Sequence, residues 1–496
     1  MAEYPRPDFV RKDLTWSSLN GRWDFIFDDS DEGLTSFWHR RGLPASTSDG
    51  IASKMDIIVP FVFQMAASGI GKPGTHEVIW YERIVKDVRT AEQRSQGNRL
   101  LLRFGAVDYE CRIWANGELV GSHRGGHVPF DVDLTDVAEG GMIEGSDGGL
   151  RITVRIRDSP TDLTQPRGKQ YWKAESHNIW YKPSSGMWQS VWIESVPAVR
   201  IGDGSAGTIL RSNDVESGQL HAESVALVGR RAGAAYSVEI EATFGDVVVG
   251  KAKSEVYKER DYAKLELSLC LSADQRSQMP ESQTAKSPTT DRSAWTEKGL
   301  ALWSPAHPQL YSLAIRLLDE SGKTLDEVTT ETGMRSLSWT NGDQTFRLNG
   351  KPLFQRLVLD QGFWPETGIT PPSQEALKAD IEMSMAMGFN GCRKHQKVED
   401  PVFMHLANKY GFLVWGEMGN AYEFDMEYTR RFDQEWRESM LRDINHPCIV
   451  TWTPVNESWG YTDLTNSAQQ RNHLRSLYWQ SKYVLVLWHQ DYPALR

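Results

Sequence analysis

From about residue 345 the hydrophobic period of the chain switches, and this restricts the possible folds more than any other feature. "KPLFQRLVLD" (351–360) is a short apolar strand, and "PSQEALKADIEMSMAMG" (372–388) is an amphipathic helix closed by Gly388. "FNGCR" is a strand, "VEDPVFMHLANKYG" a helix ended by Gly411, and "FLVWGEM" another strand. "EYTRRFDQEWRESMLRDINH" reads as a longer helix, and "IVTWTPVNE" (449–457) as the strand after it. Continuous apolar strands alternating with helices imply parallel strands covered on both faces. About four βα units in succession predict part of a (β/α)8 TIM barrel, whose functional residues gather where the strands end.

The residues before this switch follow a different rule. "RLLLRFGAVDYECRIWANGELVG" (99–121) and "LRITVRIRD" (150–158) are short β-rich runs broken by turn signals, and Asn116-Gly117 predicts a two-residue hairpin. The pattern predicts a jelly-roll β-sandwich over 1–199 and an immunoglobulin-like β-sandwich over 200–333, with the barrel portion at 334–496. The polar stretch 272–299 reads as a surface loop, because strand patterns resume at "LYSLAIRLLDESGKTLDEV".

Composition excludes several classes of function. A net charge of −11 and basic residues clustered no further than pairs (Arg40-Arg41, Arg430-Arg431, read as solvated surface) disfavour nucleic acid. No apolar run approaches the length of a membrane span, and the N-terminus lacks an apolar signal-peptide region, so a cytoplasmic protein is expected. Four scattered cysteines without CxxC spacing suit a reducing compartment and no zinc site. No glycine-rich phosphate loop and no GxSxG elbow is present, so no nucleotide cofactor is expected.

The predicted strand ends carry Asp360, Arg393 with His395, Glu417, and Asn456 with Glu457. Singly, each reads as well as a cap, a surface charge or a structural pair. Together, at one face of a parallel barrel, they converge on one mouth. Trp364, Trp415, Trp452 and Trp459 flank them, which suits a ring with apolar faces and hydroxyl edges. Glu417, Glu457 and His395 are also compatible with a divalent or monovalent cation, although nothing in the spacing indicates one.

"SLNGRWDF" (18–25), "WYER" (80–83), "VDYECRIWANGELVGSHRGGHVPFDVDLT" (107–135), "PRGKQYW", "SSGMWQSVWIESV" (184–196), "LWSPAHPQLY" (302–311), "FRLNGKPLFQR", "GFNGCRKHQ", "LVWGEM" and "TPVNESWG" occur in that order. In this ordered set the chain resembles glycoside hydrolase family 2, the β-galactosidase, β-mannosidase and β-glucuronidase group. The resemblance implies retaining hydrolysis of a β-glycoside, galactoside by family weight, within carbohydrate metabolism. It places the acid/base at Glu457, sugar 2-hydroxyl binding at Asn456 and a substrate-side carboxylate at Glu417. Arg393, His395, Asp360, Trp364 and Trp459 become the other substrate-binding candidates, with no metal. The family commonly shows Arg-x-x-His after the second strand, where this chain reads Arg393-Lys394-His395.

The resemblance also places a nucleophilic glutamate on the seventh barrel strand, but only 39 residues follow Glu457 (496 − 457). They provide one helix, "NSAQQRNHLRSLYWQ", and a tail unlike the family. The nucleophile is therefore expected to be absent, the chain being truncated within its catalytic barrel. Unpaired barrel strands would then favour self-association. The alternative expectation is a catalytically inactive fragment that binds carbohydrate or a partner.

Overall fold

A computed structural model describes residues 3–140, 149–278, 295–339 and 343–486. Most of the polar stretch 272–299 and the tail after residue 486 lie outside the described residues; Ala273–Gln278, at the start of that stretch, form a short helix.

Two antiparallel sheets, of six and four strands, pack face to face in the N-terminal part of the chain. Trp23, Phe25, Tyr81, Leu102, Ile152 and Ile193 fill the space between them. Asn116 and Gly117 adopt φ of 50° and 87°, which joins Glu110–Ala115 to Glu118–Arg124 as the predicted hairpin. A second sandwich follows, a five-stranded sheet against a four-stranded one. Alternate residues of its central strands (Val238 and Ile240 opposite Leu317 and Ile315) form the core. One strand crosses between the two units: Phe9–Arg11 pairs with Val328–Thr330 at the edge of the second sandwich. There Arg11 forms a buried ion pair with Asp326 and donates to the Ile201 carbonyl at 3.1 Å.

The third unit is the parallel one. Leu357–Asp360, Gly391–Lys394, Leu413–Glu417 and Ile449–Thr453 pair in that order, all parallel. Helices Gln374–Ala386, Pro401–Tyr410, Met426–Asp443 and Ala468–Val486 follow them in turn. Each of the first three helices starts on a side chain that accepts from its first turn (Ser373, Asp400, Asp425), and Gly411 ends the second with φ 70°. The fourth strand stops at Thr453, short of the expected Glu457, because Pro454 cannot donate to a ladder and the chain then turns. No described helix is long and apolar enough to cross a membrane.

The first sandwich is keyed into the parallel unit through helix Met426–Asp443. Arg431, read from sequence as solvated surface, is buried and bonds Asp162 at 2.6 Å. Glu435 lies fully buried beneath Gly125 and near Asp108, and accepts from the His127 N–H at 3.3 Å. Burial first, and then the charge of Asp108, push the Glu435 carboxyl from 4.5 up to about 8. The folded protein therefore holds a proton that the unfolded chain releases. Stability should be greatest below about pH 4.5 for this group and fall as pH rises through about 8. Chemical denaturation of Glu435→Gln across that window should show a flatter profile than wild type. An equal slope in both would show that Glu435 does not carry this pH dependence.

Candidate functional site

Strand parity sets which candidates meet. In the parallel register Leu359, Arg393 and Trp415 share one rung, while Asp360 and Lys394 share the next, on the opposite face. Glu417 lies two residues beyond Trp415 and so faces the same way as Arg393.

Arg393 is the hub. Its Nε donates to Glu417 Oε2 at 2.6 Å, and one terminal nitrogen donates to Asn456 Oδ1 at 2.8 Å. The His395 ring meets the other Glu417 oxygen through Nδ1 at 2.9 Å. Glu417 is thus fully buried yet held by two partners on both oxygens, a geometry in which burying a carboxylate is sustainable. The Asn456 N–H donates to Asn420 Oδ1 at 2.9 Å, which fixes the amide against the mouth.

Glu457 stands next to this network and is exposed. Glu457 and Ser458 have φ of 50° and 56°, two successive non-glycine residues in the left-handed region. That conformation is costly and is found where the surroundings enforce it, often at functional sites. Here the turn is closed by Trp459 N–H to Asn456 O at 3.0 Å and Tyr461 N–H to Ser458 O at 2.9 Å. Trp459 Nε1 then donates to Glu457 Oε2 at 3.0 Å, fixing the carboxyl beside the indole.

The remaining candidates lie elsewhere. Asp360 pairs with Lys394 on the helix side of the sheet, and Lys394 also bonds Glu399 at 2.9 Å. Glu399 in turn accepts from Lys397 at 2.9 Å, so the second-strand lysines serve a buried ion network behind the sheet. Burial alone would raise Glu399, but Lys394 and Lys397 hold it well below the usual carboxylate range. Trp364 is tied through its backbone to Gly368 and packs at the rim of the parallel core. Trp415 Nε1 donates to Gln355 at 2.7 Å. Trp452, expected among the tryptophans flanking the mouth, instead packs edge-on against Trp436, with ring centroids 5.7 Å apart. It follows Thr451 by one residue and so points back into the helix layer.

Sequence reasoning missed the wall that does stand beside Glu457, because most of it comes from the first sandwich. Residues 160–182 leave that sandwich and lie across the mouth. Trp180 and Tyr422 approach the Trp459 ring at 5.6 and 5.4 Å, and Trp172 packs on Tyr422 at 4.8 Å. Arg167 and Gly168 donate their backbone N–H groups to the Asn420 carbonyl at 3.1 and 2.9 Å. Only glycine fits at 168, where φ is 58° and a Cβ would sit 2.3 Å from the Gln396 carbonyl oxygen. Lys169 follows, with its ammonium 5.8 Å from the centre of the Trp459 ring.

Two family models match the chain: "Glycosyl hydrolases family 2, sugar binding domain" over residues 16–160 and "Glycosyl hydrolases family 2" over 232–335, together half of its length. A β-galactosidase of Thermoanaerobacter pseudethanolicus is 24% identical, over 77% of this chain and 45% of its own. A β-glucuronidase of Canis lupus familiaris is 25% identical, over 92% of this chain and 65% of its own. The chain thus spans between about half and two thirds of the length of these relatives. Among solved structures, a Lactobacillus rhamnosus β-glucuronidase superposes with a TM-score of 0.71 at 20% identity, covering 98% of this chain and 72% of its own. A Ruminococcus gnavus β-glucuronidase in complex with D-glucuronic acid does so at 0.69 and 19%, with the same coverage. At such identities the superpositions establish the shared fold.

Proposed function

Since the chain belongs to glycosyl hydrolase family 2, we propose that it is built to hydrolyse the O-glycosyl bond of a β-glycoside by retaining double displacement. The observation that carries this reading is the Arg393 hub, which joins Glu417 to Asn456 immediately before the strained Glu457 turn. Glu457 is the acid/base. It gives its proton to the leaving oxygen and later takes one from the attacking water. Asn456, oriented by Arg393 and Asn420, offers its amide to a sugar hydroxyl. The tryptophan and tyrosine rings around Trp459 supply an apolar wall for the sugar or its leaving group. Galactoside and glucuronide are the substrates named for the relatives.

Retention requires a second carboxylate about 5–5.5 Å from the first. Glu417 is occupied by Arg393 and His395, and Asp360 by Lys394. Neither is free to attack an anomeric carbon, so neither of these strand-end carboxylates is assigned as the nucleophile. The two outer strands, Leu357–Asp360 and Ile449–Thr453, each have one described neighbour. Phe354 and Leu359 are exposed at the first of these edges, which supports association there with further barrel strands or with a second copy.

Calorimetry of the 1–496 chain with aryl β-galactoside and aryl β-glucuronide tests the reading. At least one should bind, and Asn456→Ala should weaken that binding about ten-fold, the worth of one well-placed hydrogen bond. Binding that is absent from both, or unchanged in Asn456→Ala, would contradict it.

A further inference from the structure

Lys169 is contributed by the first sandwich, not by the parallel unit, and it is an anomaly there. The residue is only 4% exposed, yet its ammonium makes no hydrogen bond or ion pair with any described residue. Its surroundings are the face of the Trp459 ring and, further off, the charge of Glu457. Buried lysines are ordinarily paired, as Lys394 and Lys397 are behind the same sheet. With so little of the residue exposed, the ammonium keeps little of its hydration, and only the Trp459 ring and the more distant charge of Glu457 offset that loss. Burial accordingly lowers the Lys169 ammonium from its ordinary range, against the pull of Glu457.

The position is also fixed. The N–H groups of Arg167 and Gly168 are bonded to the Asn420 carbonyl on one side, and the Lys169 carbonyl accepts from the Tyr181 N–H at 2.8 Å on the other. The side chain thus extends from a pinned backbone along the indole that orients Glu457. Glu457 cannot be its permanent partner, because that carboxylate accepts from Trp459 and has to carry a proton during the reaction proposed above.

We propose that Lys169 is a specificity-determining residue that receives an oxyanion carried by the glycoside, so that the site selects acidic over neutral glycosides. This rests on the glycosidase reading and deepens it. A charge-assisted hydrogen bond to a desolvated ammonium favours the anionic ligand by about ten- to a hundred-fold.

The test compares p-nitrophenyl β-D-glucuronide with p-nitrophenyl β-D-glucoside, which differ only in a carboxylate for a hydroxymethyl group. Their binding to the 1–496 chain is measured by calorimetry for wild type, Lys169→Met and Lys169→Arg. Wild type should bind the glucuronide at least ten-fold more tightly. Lys169→Met should bind the two alike, and Lys169→Arg should keep part of the preference. In wild type, raising the salt concentration should weaken the glucuronide and leave the glucoside unchanged, a reading that does not depend on any variant folding. Equal binding of both by wild type, or a preference surviving in Lys169→Met, would overturn the role of Lys169 while leaving the glycosidase reading intact. Binding of neither would overturn the role of Lys169, and would overturn the glycosidase reading as well only if the aryl β-galactoside also failed to bind.

Discussion

Replacing Arg393 with methionine should abolish glycoside binding and destabilise the parallel unit by about 3–5 kcal/mol, the usual result of stranding one half of a buried ion pair. Arg393 is about a quarter exposed, but the carboxylate it serves is fully buried at Glu417. His395 would remain on one Glu417 oxygen, leaving the other without the 2.6 Å bond from Nε. Asn456 would lose its 2.8 Å donor at the same moment, so Glu417 and Asn456 would come loose together. Thermal unfolding should show a drop of several degrees in the transition of this unit. Arg393→Lys should recover part of the stability and little of the binding, because a compact ammonium lacks the planar spread with which the guanidinium reaches Glu417 through Nε and Asn456 through a terminal nitrogen. Unchanged melting in Arg393→Met would show that the hub is not what sustains Glu417.

Local rules accounted for much of the fold. The Asn116-Gly117 hairpin, the helices ended at Gly388 and Gly411, and the parallel pairing of the strands that carry Arg393 and Glu417 and precede Asn456 all follow from turn chemistry and hydrophobic period. The candidates at those strand ends were legible for the same reason. Side-chain direction within the candidate set was harder to foresee. Asp360 and Trp452 sit one residue away from inward-facing positions, and a period of two turns each of them toward the helices. Nothing local marked Lys169, Trp180 or Tyr422 as neighbours of Glu457, since they meet across sequence separations of tens to hundreds of residues. The only trace of the segment that brings Lys169 to the mouth was "PRGKQYW", in which Gly168 permits the close approach to the Gln396 carbonyl. The addition of Phe9–Arg11 to the second sandwich was equally hidden, because edge pairing between distant segments leaves no period of its own.

Glu457 should be the residue whose change costs most in rate. A general acid contributes about 10²–10⁴-fold, most for poor leaving groups that cannot depart unprotonated. In the proposed division of labour this chain supplies the proton and holds the sugar, while the attacking carboxylate is not among its described residues. An added small anion can stand in for that carboxylate. Azide attacks the anomeric carbon, the C–O bond to the leaving group breaks, and the leaving oxygen takes the proton of Glu457. The product is a glycosyl azide of inverted configuration.

The most direct measurement is release of the leaving group from alkyl and aryl β-glycosides by the 1–496 chain, with and without azide, in wild type and Glu457→Gln. The account predicts no turnover without azide and azide-dependent turnover with it. In Glu457→Gln, azide-dependent release from the alkyl glycosides should fall by at least about 100-fold. Turnover that needs no azide, or azide-dependent turnover of alkyl glycosides that persists undiminished in Glu457→Gln, would contradict it.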